Sequence, residues 1–311
     1  MKLHSAKILL DSISKHGHRL TTFECCFPRI ILSEWNTHRV FVRNSASSRA
    51  IPVEKMIRMV TENPYVPTTW GKNQRGMQAA EEILGEEAVR CEAAWLKARD
   101  LAVGQAQELL EIGVHKQTTN RLLEPFLWHT IINTATEYSN FYALRAHKAA
   151  HPDIQIIAFL MKDAHEKSTP QLLADNEWHT PYAAPDEKYS SKHDLRKVTS
   201  GRCASISYLT HDGKADPLAD IARHDRLLSS GHMSPLEHAA RPMNDLEYNH
   251  WFEQPKVLWD ETAKAFVEVV GSDGEPRSTH FCGPFQGWVS YRKQIPNEED
   301  YGKFVASQAA G

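Results

Sequence analysis

The chain has 311 residues, with 36 Lys and Arg against 39 Asp and Glu, and 41% of its residues are hydrophobic. That balance lies in the ordinary globular range and leaves no cationic excess for bulk nucleic-acid binding. No apolar run is long enough to span a bilayer, and the N-terminus lacks a basic region followed by a long apolar stretch and a small-residue cleavage site, so no membrane association and a cytoplasmic location are expected. Five cysteines, Cys25, Cys26, Cys91, Cys203 and Cys282, form no short-spacing framework and read as free thiols of a reducing compartment.

In chain order, Leu20 to Ile31 gives a β-like, then mixed, pattern, and Leu32-Ser33-Glu34-Trp35 could start a helix. A polar run follows directly, Thr37-His38-Arg39-Val40-Phe41-Val42-Arg43-Asn44-Ser45-Ala46-Ser47-Ser48-Arg49. It concentrates three guanidiniums, an imidazole and several hydroxyls. Guanidinium grips phosphate through parallel hydrogen bonds while Ser, Asn and loop amides supply further donors, so this composition suits a phosphorylated ligand as well as a solvated basic loop. Pro52 suits a first helical turn, and Val53 to Val60 continues as a short helix. Tyr65 to Arg75 reads as an ordered surface loop, its Trp70-Gly71-Lys72-Asn73-Gln74 run included.

Met77 to Ile112 is rich in Ala, Glu, Leu and Gln, with apolar residues at three- and four-residue intervals, and predicts a long helix ended by Gly113. The same spacing predicts a second helical stretch from Thr118 to Ala150, interrupted near Pro125. Arg145 closes its Asn140-Phe141-Tyr142-Ala143-Leu144-Arg145 segment, where a guanidinium beside aromatic rings must reach solvent, a carboxylate or an anion. Ile154 to Lys162 predicts a short amphipathic helix, Glu166 to Lys197 long loops with short helices, and Arg202 to Leu209 a strand. Near the C-terminus stands Gly231-His232-Met233-Ser234-Pro235-Leu236-Glu237-His238.

Three of these segments carry a resemblance. His38-Arg39, then seven residues, then Ser47 and Arg49, is similar to the signature of the flavin-dependent thymidylate synthases: Arg-His-Arg, seven residues, Ser and a further Arg. Thr37 replaces the first Arg, and Ser45 stands where an acidic residue is often found. The Asn140 to Arg145 run resembles the family's Asn-Phe-x-x-Leu-Arg helix end, and Gly231 to His238 resembles its Gly-His-x-Ser/Thr-Pro-Phe-Glu-His element, preceded by Arg202 to Tyr208 as by the family's Ala-Arg-Val-Ser-Tyr. The last two usually stand before the Arg-His-Arg motif, so the order looks circularly permuted, which preserves a site when the old termini lie close together.

The resemblance implies an α+β fold, a mixed or antiparallel central sheet flanked by helices as in the thymidylate synthase complementing proteins, in a single catalytic domain over 1–311. Within it, 1–60 holds strand and nucleotide motif, 77–165 the helical part, 166–200 the connecting region and 201–311 the permuted element and tail. It implies methylation of dUMP to dTMP with methylenetetrahydrofolate as one-carbon donor, NADPH as reductant and FAD as cofactor, in a homotetramer with sites between subunits. Ser47, Arg49, Arg121 and Arg145 are then assigned to dUMP, with Arg145 and Ser47 nearest the chemistry and Glu34 touching the nucleotide. His38, Arg39, Asn140, His232 and Ser234 are assigned to FAD, and no metal is called for. Glu237 and His238 fit structural hydrogen bonding as well as ligand contact. No Gly-x-Gly-x-x-Gly loop follows a strand, which argues against a Rossmann-type flavin domain.

Other chemistries remain open on the residues. Hydroxymethylation of dUMP, or action on a related pyrimidine nucleotide, is compatible with Thr37 and Ser45. A metal-dependent phosphohydrolase would use His147 and His151, four apart on a predicted helix, or the His224-Asp225 pair, although no His-Glu-x-x-His pattern is present. A nucleotide- or nucleic-acid-binding module without turnover would need only the basic loop and nearby aromatics.

Overall fold

A computed structural model of the chain describes residues 3–183, 192–206, 216–252, 257–260, 265–268, 284–296 and 298. Its centre is a five-stranded sheet in the order β3-β4-β2-β1-β5, built from β1 (Ser5–Ser14), β2 (Arg19–Pro28), β3 (Val42–Ser45), β4 (Trp128–Ala135) and β5 (Gln171–Leu173). All neighbours are antiparallel except β5, which runs parallel to β1, so the sheet is mixed and the architecture is α+β as expected.

Both faces of the sheet are covered, and the two-residue period of the strands sorts the side chains between them. Phe23, Cys25 and Phe27 of β2 and Ile131 and Ala135 of β4 point to one face. There they bury against Trp35 of α1 (Leu32–Asn36), Phe141 of α5 (Ser139–Arg145) and Ile154, Ile157 and Met161 of α6 (Pro152–Lys167). On the opposite face Ile132 meets Cys203 of α7 (Lys192–Ser205). Leu20 and Val42 pack there with Trp288 of a small β6–β9 ribbon (Ala240–Pro242 and Trp288–Ser290). A second layer holds α2 (Val53–Glu62), α3 (Glu86–Ile112) and α4 (Lys116–Thr119), where Met56 and Val60 of α2 and Ala106 of α3 pack with Leu123 and Phe126 of the 3-10 turn after α4. Helices α8 (Pro217–Ser229) and α9 (Asp245–Phe252) and a β7–β8 hairpin (Val257–Asp260 and Ala265–Glu268) complete the described elements.

Several expectations are corrected. Thr118 to Ala150 is not a helical stretch, and 77–165 is not wholly helical. After α4 and a 3-10 turn over Asn120–Phe126, the chain forms β4, a central strand, before α5. A strand buried on both faces loses its alternation, and its apolar residues can be read at helical spacing. The long helix begins at Glu86 rather than Met77, and Met77 is fully exposed, so nothing holds the earlier segment to a helical face. Arg202–Ser205 ends α7 instead of opening a strand, while 207–209 lie outside the described residues, as does Cys282. The Val53 helix, the end at Gly113 and the exposure of 71–75 agree with expectation, and the Ile154 helix is longer than expected, starting at Pro152. Among the described residues no helix is long and apolar enough to cross a membrane.

Candidate functional site

The basic run is shaped by the edge strand β3 and the turn after it. Ser45 pairs with Ile131 of β4, the Ala46 amide donates to Thr130 O at 3.0 Å, and the amides of Ala50 and Ile51 then turn back to Ser47 O at 3.0 and 3.3 Å. Three side-chain contacts pin this segment, one from Asn44 of the run itself and two from elsewhere. Asn44 Nδ2 donates to Cys203 O at 2.5 Å on α7, Asn120 Nδ2 donates to Ser48 O at 2.6 Å and Ile51 O at 2.9 Å, and Lys116 Nζ donates to Ala50 O at 3.0 Å. Asn120 is fully buried, so the turn is held from beneath by a side chain with no competing water.

Beside this turn lies a cavity of about 510 Å³. Arg43, Ser45, Ser47 and Arg49 line it from the basic run, Lys116 and Gln117 from α4, His232 and Ser234 from the late-chain element, and Ala204 and Leu227 from α7 and α8. The approach of the late element follows from its local geometry. Gly231 sits at φ 69, and the amides of Gly231 and His232 cap the last turn of α8 through Leu228 O at 3.0 Å and Leu227 O at 2.9 Å. This Schellman closure requires a left-handed residue, which glycine supplies, and it turns His232 toward the cavity. Among the described residues the lining contains three permanent cations and no carboxylate. A fixed positive field without a protein counter-ion is an anion site.

Arg145 does not line this cavity. It ends α5, where its Nε donates to His38 Nε2 at 3.0 Å and its Nη2 to Thr37 Oγ1 at 3.1 Å. Burial first, then the neighbouring Arg145 and Arg43 charges, push the His38 imidazole down to about 4. His38 is therefore neutral near pH 7, its Nε2 accepts from Arg145, and its proton is on Nδ1. Because both acceptors are uncharged, Arg145 keeps its charge for another partner. Arg43 joins the two groups, since it lines the cavity while its Nη1 donates to His38 O at 3.2 Å.

Of the residues singled out from sequence, Ser47, Arg49, His232 and Ser234 thus meet at one cavity, and His38 and Arg145 meet each other. Arg39 and Asn140 are exposed, Glu34 is half-buried beside Ser33, and Arg121 is exposed and paired with Glu124 at 2.7 Å, all four away from the cavity lining. Sequence reasoning missed Lys116 and Gln117, which belong to no motif, and Arg43 stood in the basic run without an assigned role.

Under the late element runs a row of buried hydrogen bonds. Ser12 Oγ is 2.8 Å from His179 Nδ1, His179 Nε2 is 2.7 Å from Thr22 Oγ1, Thr22 Oγ1 is 2.8 Å from Thr134 Oγ1, and Thr134 Oγ1 is 2.8 Å from His238 Nδ1. Burial pushes both imidazoles down to about 3, so both are neutral, and His238 Nε2 is buried with no hydrogen-bond partner among the described residues. Glu237 pairs with Arg292 at 2.6 Å. Both residues therefore anchor the element to the sheet and tail.

Two competing chemistries find less in the geometry. His147 and His151 lie outside any helix, with His151 capping α6, so the shared-face argument for a metal pair does not hold. His224 Nδ1 is committed to Asp225 at 2.9 Å, and no group of three metal-binding side chains gathers among the described residues. Burial raises the thiols of Cys25 and Cys203 well above the range in which a thiolate forms near neutral pH.

A sequence model described as thymidylate synthase complementing protein matches residues 9–171, just over half of the chain. Among solved structures, a UMP/dUMP methylase, PolB from Streptomyces cacaoi, bound with 5-Br dUMP, is similar over 54% of this chain and 91% of that chain, at 16% identity and a TM-score of 0.43. No curated protein matches the sequence.

Proposed function

We infer a function from one premise: the chain belongs to the thymidylate synthase complementing protein family. The reading is that it converts dUMP to dTMP, taking the one-carbon unit from methylenetetrahydrofolate and reducing equivalents from NADPH through FAD. The observation that carries it is the meeting of Ser47 and Arg49 with His232 and Ser234 around one cavity whose described lining has cations and no carboxylate. Those segments are remote in sequence, and their convergence also supports a circularly permuted order, with Gly231–His238 as the element that usually precedes the basic motif.

Methylating C5 of uracil needs an electron-rich ring, and a thiolate adding to C6 is one way to make it. The buried, raised thiols of Cys25 and Cys203 do not suit that route. A flavin fits the donor set instead, because arginine, hydroxyl and imidazole groups suit a phosphate-bearing cofactor beside a nucleotide. When bound, FAD supplies the hydride that completes the methyl group. Ser47 and Arg49 bind the dUMP phosphate, and Arg145, held by neutral partners, stabilises negative charge that develops on the pyrimidine. His38, Arg39, Asn140, His232 and Ser234 are the residues that would hold the flavin. Arg39, Asn140, Arg121 and Glu34 reach ligand only across a subunit boundary on this reading, which goes with a homotetramer.

Ser45 lines the cavity where the family signature often has an acid, and this favours a second product, the hydroxymethyl nucleotide. Incubation with dUMP, methylenetetrahydrofolate, NADPH and FAD, followed by mass analysis, separates the two. A nucleotide heavier by one methylene unit supports dTMP, one that retains an additional oxygen supports the second product, and unchanged dUMP defeats both.

A further inference from the structure

We propose that Lys116 is a phosphate-binding residue of the cavity, acting with Arg49 to recognise the dianionic 5′-phosphate of the substrate. The inference rests on the nucleotide reading of this cavity. Lys116 is the first residue of α4, far in sequence from the basic run, yet its ammonium donates to Ala50 O at 3.0 Å. The Ala50 amide is itself bonded to Ser47 O at 3.0 Å. Lys116, Ser47 and Arg49 therefore address the same turn, and all three line the same cavity.

Charge accounting leaves room for an anionic ligand. Lys116 is half-buried, and neither it nor Arg49 has an ion-pair partner among the described residues. A phosphate monoester carries nearly two negative charges near pH 7. One guanidinium, binding two oxygens side by side, offsets one of them. The ammonium is a compact point charge with three N–H donors, and Ala50 uses only one. Arg43, the third cation of the lining, turns its Nη1 to the carbonyls of Asn36 and His38, so the remaining two donors of Lys116, with its unit of charge, match what the phosphate still lacks. A purely structural role, fastening α4 to the turn, would use the carbonyl contact alone.

The test compares dUMP with deoxyuridine, which lacks the phosphate, by titration calorimetry on the full chain. K116M is expected to weaken dUMP roughly tenfold to a hundredfold, the range for losing a charged hydrogen bond, and to leave deoxyuridine within about twofold of wild type. K116R, which restores the charge, is expected to recover most of the discrimination, and inorganic phosphate to compete with dUMP more weakly in K116M than in wild type. Equal weakening of dUMP and deoxyuridine, or wild-type discrimination in K116M, would overturn the role of Lys116 while the nucleotide site stands. Failure of the wild-type chain to bind dUMP would overturn the nucleotide reading itself. If K116M does not fold, K116Q decides between the same outcomes in the same assay.

Discussion

Replacing Asn120 by alanine tests whether the phosphate-facing turn is shaped from below. Its Nδ2 bonds Ser48 O at 2.6 Å and Ile51 O at 2.9 Å in a site with no exposure. N120A leaves two buried carbonyls without a donor, at roughly 1–3 kcal/mol each, and removes packed atoms. An offset comes from Asn120 Oδ1, which is buried and has no hydrogen-bond partner among the described residues, so its removal relieves roughly 1 kcal/mol. The net expectation is a loss of about 2–4 kcal/mol, read as a lowered urea midpoint by tryptophan fluorescence, together with weaker dUMP binding because Ser47 and Arg49 lose their fixed turn. N120D should be worse, since it aims a carboxylate at two carbonyl oxygens. A midpoint for N120A indistinguishable from wild type, with dUMP affinity unchanged, would refute this account of the turn.

Three further outcomes follow from the geometry. R145A should abolish turnover while flavin absorbance in the purified protein persists, and a fully active variant would remove Arg145 from the chemistry. Stability should fall as the pH drops below about 6.5, toward 4 for His38 and toward 3 for His179 and His238, because folding lowers all three from 6.5 and the unfolded chain takes up protons first. Each adds a slope of up to ~1.4 kcal/mol per pH unit inside its window, so urea midpoints at pH 7 and pH 5 that coincide would contradict the burial described. G201A should destabilise by about 3 kcal/mol or more, because a Cβ there would lie 2.2 Å from the Asp220 carbonyl oxygen of α8. Unfolding midpoints measure it, and a neutral result would mean that α7 and α8 separate easily.

The parts of this molecule legible in its sequence are those that carry local chemistry. The basic run, the Gly231–His238 element and the Arg145 helix end could be found because their residue spacing resembles the signatures of one family, and the first two meet at the cavity. Strand β4 was not legible. Its Ile131 and Ile132 bury on opposite faces of the sheet, so no polar side remained to reveal the two-residue period. Strand β1 stood before the first segment with a readable pattern. Lys116 was invisible for a different reason: a lysine opening a short helix has no local signature, and only the fold brings it to Ala50.

The row from Ser12 to His238 has a consequence that reaches beyond anchoring. Each hydroxyl has a single proton to give, so the sense selected at one end dictates every member. If Ser12 donates to His179, then His179 donates to Thr22, Thr22 to Thr134, and Thr134 to His238, whose Nε2 then carries its hydrogen. In the opposite sense His238 donates from Nδ1 and every arrow reverses. Five side chains on three strands, one loop and one 3-10 turn thus share one two-valued setting, and whatever reorients the imidazole next to the His232 segment is registered at the far strand as the direction of a serine proton.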